Sequence, residues 1–532
     1  MPVPKYRPAF LRKGSGEMKS FFCKERIAAI VCILGIALST IGQIPPPFPT
    51  KRSEKPEDWR REGWSMIDSA KKVKYKYRKA KNVILFIGDG MGVSTLTAAR
   101  ILEGQLRGES GEENRLSFEN FPFSALSKTY SANQQTSDSA PTMSAIITGV
   151  KTKDGMISVN SNVIPNDFRT VKGNEAKTLL EYAEDSGRST GVVSTARLTH
   201  ATPAACYSHT LQRSWESDTD ILKADKNAAA AGFPDIARQL IETKYGDGPE
   251  VAFGGGRSKF LPSTVSDPEY TDKKGDRSDG RDLTQEWIKK NSGSEYIWNK
   301  AGFDAIDVKK AKHVLGLFEP SHMNYEYDRS KDKAGEPSLT EMTTKAIDIL
   351  SKNKKGYFLM VEGGRIDHAH HDGNAFHALT DAIELSNAVR AAASKVDLKD
   401  TLIVVTADHS HTFVISGYPY RGNNILGLVR EQKKDGTPAD KYRTAKDGKP
   451  YTTLGYTNGL GAVKGERSEL TQEEVTDPDY KQQALVPMSG ETHGGEDVAI
   501  FATGVNAQFF RGSMEENWTF YVIADALGFS RQ

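Results

Sequence analysis

Cysteine is nearly absent: three in 532 residues, Cys23, Cys32 and Cys206. Two of them lie in an N-terminal hydrophobic segment. Cys206 is left alone in the body of the chain, which excludes an internal disulfide there. A dominant charge is missing too. With 71 basic and 69 acidic residues the formal charge is +2, too small for a nucleic-acid binder driven by overall charge. There is no internal repeat and no low-complexity tract, and the apolar (37%) and charged (26%) fractions are ordinary for a globular protein. A chain of this length reads as one large domain with insertions or appendages.

A long uncharged run occurs at Ile27 to Ile44 (IAAIVCILGIALSTIGQI), after a basic flank containing Lys5, Arg7, Arg12, Lys13, Lys19, Lys24 and Arg26. A basic flank before an apolar core is an export signal. The run sits at the lower limit for a membrane span and no clear A-x-A cleavage site follows it, so a cleaved signal peptide and an uncleaved anchor both fit. Met18 offers a shorter start. On either reading the body lies outside the cytoplasm. Residues 1–50 therefore form a signal or anchor segment with a Pro-rich linker, and Trp59 to Lys74 reads as a charged helix.

In the body, apolar runs end repeatedly in acids and histidines. Val83 to Ile87 is a buried strand, stopped by Gly88-Asp89-Gly90, where glycine permits a sharp turn. Asp89 thus stands at the C-terminal end of a core strand, where open α/β sheets place ligands. Tyr357 to Val361 ends in Glu362, and Thr401 to Thr406 leads to Asp408 and His409. Asp367 and His371 are four apart in an apparent helix, about 5–6 Å from each other on one face, as a divalent metal requires. His368, His370 and His377 crowd the same region, and His493 precedes the strand Val498 to Ala502. Further strands are expected at Ser189 to Thr195 and Val251 to Phe253. Residues 262–300 read as a polar surface excursion and 417–485 as an inserted subdomain.

At Asp138-Ser139-Ala140-Pro141 a helix begins, since proline fits the first turn. A serine there is either a plain N-cap or a hydroxyl seated where a phosphate binds. Mixed histidine and carboxylate ligands suit zinc, and an all-oxygen set suits magnesium. Two metals about 4 Å apart would clamp the attacking and leaving oxygens of a displacement at phosphorus. Ser139 would be the nucleophile, and the fork of Arg213 would hold the remaining phosphate oxygens.

The segments FIGDGMGVSTLTAARI, DSA, THATPAACYSHTLQRSW, VEGGRIDHAHH, TADHSH and ETHGGEDVAIFA occur in that order. From about Trp59 to near the C-terminus the chain resembles the alkaline phosphatase family, its animal-type branch in particular. The resemblance implies a three-layer α/β/α sandwich with a large, mostly parallel central sheet, formed by 51–416 and 486–532, with 417–485 as a crown-like insertion. It implies hydrolysis of small phosphate monoesters through a phosphoserine at Ser139, which is then dephosphorylated by water activated at the metals. Asp367, His371 and His493 match one zinc site; Asp89, Asp408 and His409 match the second. Asp89, Thr202 and Glu362 match a magnesium site with His200 at its water shell. Arg213 matches the phosphate-binding arginine, and His368 a residue close behind the phosphate. An outlying calcium site would take Glu269, the Phe318 carbonyl, Glu319 and Glu336, with Glu336 standing where the family has Asp. The helix after Trp59 resembles an arm that reaches a second subunit, implying a homodimer and no nucleic-acid partner. The animal-type disulfide cysteines are absent. The chain ends at Gln532 without the hydrophobic tail of a lipid-anchor signal, so any membrane attachment would come from 27–44.

Two other readings stand beside this one. A phosphodiesterase or sulfatase could use the same metal scaffold, but a sulfatase needs an arginine in C/S-x-P-x-R that DSAPTMS lacks. A catalytically silent metal- or phosphate-binding surface protein would be expected to have lost Ser139 or Arg213, and both are present.

Overall fold

The computed structural model describes residues 56–529 apart from 74 and 76. The run 27–44, the linker before residue 56 and the alternative start at Met18 lie outside them. Among the described residues no helix is long and apolar enough to cross a membrane.

Eight strands come first in the chain: β1 Asn82–Gly88, β2 Phe123–Lys128, β3 Ser189–Arg197, β4 Val251–Gly255, β5 Ser294–Ile297, β6 His313–Leu317, β7 Tyr357–Gly363 and β8 Thr401–Thr406. Five more follow: β9 Ser410–His411, β10 Phe413–Ile415, β11 Leu454–Gly459, β12 Ala484–Pro487 and β13 His493–Gly494. The last two are β14 Val498–Gly504 and β15 Ser513–Glu515. Ten of them form one sheet, ordered β15-β2-β14-β8-β1-β7-β3-β4-β6-β5. Only β14 runs against the others, pairing antiparallel with β8 and with β2.

The central strands are apolar at nearly every position because both faces are covered. Along β1, Ile84 and Phe86 enter one core while Val83, Leu85 and Ile87 enter the other. In β8 the same alternation separates Ile403 and Val405 from Leu402 and Val404. The first core is closed by the helices Val93–Leu106, Leu339–Leu350 and Ala375–Lys395. Ser139–Thr148 and Trp518–Leu527 help close the second. Each wholly buried Leu, Ile or Val contributes about 1.5–3 kcal/mol, so the three-layer sandwich fixes the strand ends firmly.

One expected loop is partly regular structure. Within 262–300, Leu283–Lys290 is a helix that buries Leu283 and Trp287, and β5 is the edge strand of the main sheet, paired with β6. Four half-buried residues, SEYI, are too short to show a period. A separate three-stranded sheet, β10-β11-β12, has its middle strand within 417–485, where Leu428, Leu470 and Val475 make a small cluster of their own.

Candidate active site

The pairing of β1 with β7 and β8 sets the site. Ile87 lies level with Glu362 on one side and with Thr406 on the other. Asp89, Glu362 and Asp408 therefore emerge together at the C-terminal edge, and all three are wholly buried. Gly90 takes φ 65°, and its N–H donates to Asp408 Oδ1 at 3.1 Å. A side chain here would strike His411, since an added Cβ would lie 2.3 Å from that ring, so glycine is required.

Ser139 opens the helix Ser139–Thr148, but the capping oxygen belongs to Asp138, which accepts from Ala140 N at 2.9 Å. The Ser139 hydroxyl is thereby left free of the plain capping role. Its Oγ donates to Asp89 Oδ1 at 3.3 Å and lies 3.0 Å from His409 Nε2. Burial, followed by the neighbouring Asp408 and Asp367, pushes Asp89 up to about 7. Burial and then Asp89 push Glu362 well above the usual carboxylate range. Burial alone would lower His409, but Asp408 and Asp89 outweigh it and raise the ring to about 10. Carboxylates crowded so closely call for positive charge.

Three overlapping groups of candidate ligands gather at this edge. Asp367 and His371, on the helix Arg365–His371, meet His493 and His411: Asp367 Oδ1 is 2.9 Å from His411 Nε2, 3.3 Å from His371 Nε2 and 3.4 Å from His493 Nε2. The outer nitrogens of these rings are anchored, His371 Nδ1 to Glu491 O at 2.6 Å, His493 Nδ1 to Ser137 O at 2.7 Å and His411 Nδ1 to Glu491 Oε2 at 2.6 Å. Anchoring one ring nitrogen while the other faces a shared point is how metal-binding histidines are oriented. Asp89, Asp367 and His409 form a second group with ligand atoms within 4.8 Å of one another, and Asp89, His200 and Glu362 a third. Around the third, Asp89 Oδ2, Glu362 Oε1 and Thr202 Oγ1 are buried without a hydrogen-bond partner. Orphaned buried oxygens of this kind fit a hard cation.

Arg213 ion-pairs with Asp138, and its Nη2 is 2.9 Å from His200 Nε2. His368 packs on His200 with ring centroids 5.2 Å apart and is pushed down to about 3, first by burial. Burial and then Arg213 lower His200 as well. His370 bonds Thr95 and Tyr456 and packs its ring on His411 with centroids 4.7 Å apart, whereas His377 pairs with Asp328. Sequence reasoning did not single out His411, Glu491, Ser194 (which donates to Glu362 Oε2) or His322, whose ring lies 4.0 Å from that of His368. The DHSH spacing and the glutamate two residues before His493 were signals for the first two.

Of the outlying set, Glu269 and Glu319 do come together, but the third carboxylate within 4.8 Å is Asp332. Glu336 Oε1 accepts from Asn324 N at 2.9 Å, and its Oε2 is buried without a hydrogen-bond partner. Burial, followed by Glu319, pushes Glu336 up to about 9. Phe318 directly follows β6 in the chain and is wholly buried.

A sheet whose strand ends gather buried carboxylates and imidazoles around a serine defines a class, the hydrolytic enzymes that work through divalent cations. The sequence narrows that class. A family model described as alkaline phosphatase matches residues 80–529. The alkaline phosphatase of Gadus morhua is 43% identical over 487 residues, covering 90% of this chain and 98% of that one. The tissue-nonspecific isozyme of Gallus gallus is 43% identical over 485 residues, covering 90% of each. Among solved structures, Thermus thermophilus alkaline phosphatase shares the fold with a TM-score of 0.61 at 22% identity, covering 86% of this chain and 93% of that one. The chain belongs to the alkaline phosphatase family.

Proposed function

We propose that this alkaline phosphatase hydrolyses small phosphate monoesters through a covalent phosphoserine at Ser139. The observation that carries the proposal is the placement of Ser139 Oγ, at the positive end of a ten-residue helix and between Asp89 and His409. Oγ bonds to phosphorus as the bond to the substrate alcohol breaks, and the serine proton leaves with the alcohol. Water then takes the place of Oγ on phosphorus, a proton returns to Ser139, and inorganic phosphate departs. Arg213 is held by Asp138 at Nη1 and by His200 at Nη2, and the remaining N–H groups of its fork would donate to the phosphate oxygens. His368, neutral because of burial, stands behind it.

Asp367, His371 and His493 would hold one zinc ion, Asp89, Asp408 and His409 a second, and Asp89, Thr202 and Glu362 a magnesium ion with His200 nearby. When bound, the ions supply Lewis acidity and offset the phosphate charge. Glu269, the Phe318 carbonyl, Glu319 and Glu336 would hold an outlying calcium ion. Residues 417–485 act as a crown-like insertion, the protein is a homodimer, and residues 1–50 export it or tether it to a membrane through 27–44.

The test is an assay on a simple aryl phosphate at alkaline pH, before and after chelation and repletion. Activity lost on chelation and restored only by zinc with magnesium is the expected result. Full activity after metal analysis finds no zinc would overturn the proposal.

A further inference from the structure

At the edge opposite the site, where the parallel strands begin, the molecule carries a different chemistry. The chain enters its body through KKVKYKYRKAK, residues 71–81, in which seven of eleven residues are lysine or arginine. The described part of this segment runs along the strand starts. Lys81 N donates to Asp400 O at 2.7 Å, just before β8, and Arg78 Nη1 reaches Lys399 O. Tyr77 meets Phe509, beyond the end of antiparallel β14, with ring centroids 5.9 Å apart. Tyr75 meets Phe123, the first residue of β2, with centroids 6.2 Å apart.

These contacts leave the rings largely in solvent, Tyr75 65% and Tyr77 69% exposed. Arg78, Lys79 and Lys81 are exposed beside them, and the turns before β7 and β8 add exposed Lys354, Lys355 and Lys399. The turn before β7 packs directly on the segment, since a Cβ added to Gly356 would lie 2.0 Å from Lys81 O. Acids do little to offset this charge. Asp397 accepts from Lys399 N and Asp400 from Thr401 Oγ1, while Asp348 and Asp185 pair with Lys395 and Lys177.

We propose that this edge docks on an anionic lipid bilayer. Cations interleaved with exposed tyrosines suit such a surface, because ammonium groups take the headgroup phosphates while the rings settle at the boundary with the acyl chains. The same segment joins residues 27–44 to the body, so the inference extends the proposed tether and gives it an orientation. The seven residues of β1, at about 3.3 Å each, separate this edge from Asp89. The active site therefore faces away from the bilayer, and soluble phosphate esters reach it freely.

The test is a lysine footprint on full-length, zinc- and magnesium-loaded enzyme mixed with vesicles of phosphatidylcholine, either alone or with about one-third phosphatidylglycerol. Brief acetylation followed by mass spectrometry reads each lysine. Lys79, Lys81, Lys354, Lys355 and Lys399 should react about fivefold or more slowly on the anionic vesicles than on the neutral ones. In about 1 M salt, where the screening length falls to about 3 Å, that difference should vanish. Lys434 and Lys441, exposed within 417–485, should react alike on both. Arg78→Gln, Lys79→Gln and Lys81→Gln together should remove most of the protection of Lys354, Lys355 and Lys399. Equal reactivity on both vesicles would leave only the tether and overturn the docking. Protection already present without vesicles would assign the edge to a second copy of the chain, and undiminished protection in the triple variant would equally sink the proposal. Aryl phosphate turnover, expected at the wild-type rate in the variant, keeps a failure here distinct from a failure of the phosphatase reading.

Discussion

On the proposed mechanism Ser139 and Arg213 would touch the same phosphate but should fail differently when removed. Ser139→Ala should lower turnover by about a thousandfold or more with metal content unchanged, measured by steady-state rates beside zinc analysis. Loss of zinc in that variant would make Ser139 a structural residue. Arg213→Ala should raise the inhibition constant of inorganic phosphate roughly tenfold to a hundredfold, as expected on losing a two-pronged charge-assisted contact. An unfolded Arg213→Ala protein would contradict a solvent-facing role. A third residue, at the opposite end of β3 from the site, is one source of pH-dependent stability. Glu184, accepting from Thr190 Oγ1 and Gly248 N, is pushed up to about 8 by burial and then by Glu250. Because its folded value lies above its unfolded one, its contribution is fully present below about pH 4.5 and is lost as pH rises through about 8. Glu184→Gln should therefore flatten the fall in melting temperature across that window. Superimposable pH profiles for the two proteins would refute this.

At the scale of elements, the sequence displays what is long and hides what is short. β1, β7 and β8 are built on unbroken apolar runs, so their buried strands and the acids at their ends were legible in the sequence. The ladder between β9 and β13, two residues each, has no period to detect. Yet it places His493 level with His411 and so assembles half of the histidine cluster. Glu491 escaped for the same reason. It accepts from Thr412 N at 2.6 Å and from His411, linking that ladder to Asp367. Glu491→Gln should weaken zinc retention about tenfold to a hundredfold, measured by competition with a chelator. Unchanged retention would reduce Glu491 to a packing group.

At the scale of the molecule, the motifs and their order were enough to reach the family and the sandwich, whereas the edge strand β5 and the peripheral loops needed coordinates. The helix Pro56–Lys71 leaves Trp64 70% and Ile67 47% exposed, and Leu485 of β12 is 78% exposed. In the proposed homodimer these are the side chains that a second copy of the chain would cover. Removing residues 1–78 should shift sedimentation from dimer to monomer. A full-length protein that sediments as a monomer would remove the dimer from the account.

The most direct measurement is to quench the working enzyme with acid and map the phosphorylated peptide by mass spectrometry. Phosphate on Ser139, absent in Ser139→Ala, is the predicted result. Phosphate on another residue, or full turnover in Ser139→Ala, would contradict the account at its centre.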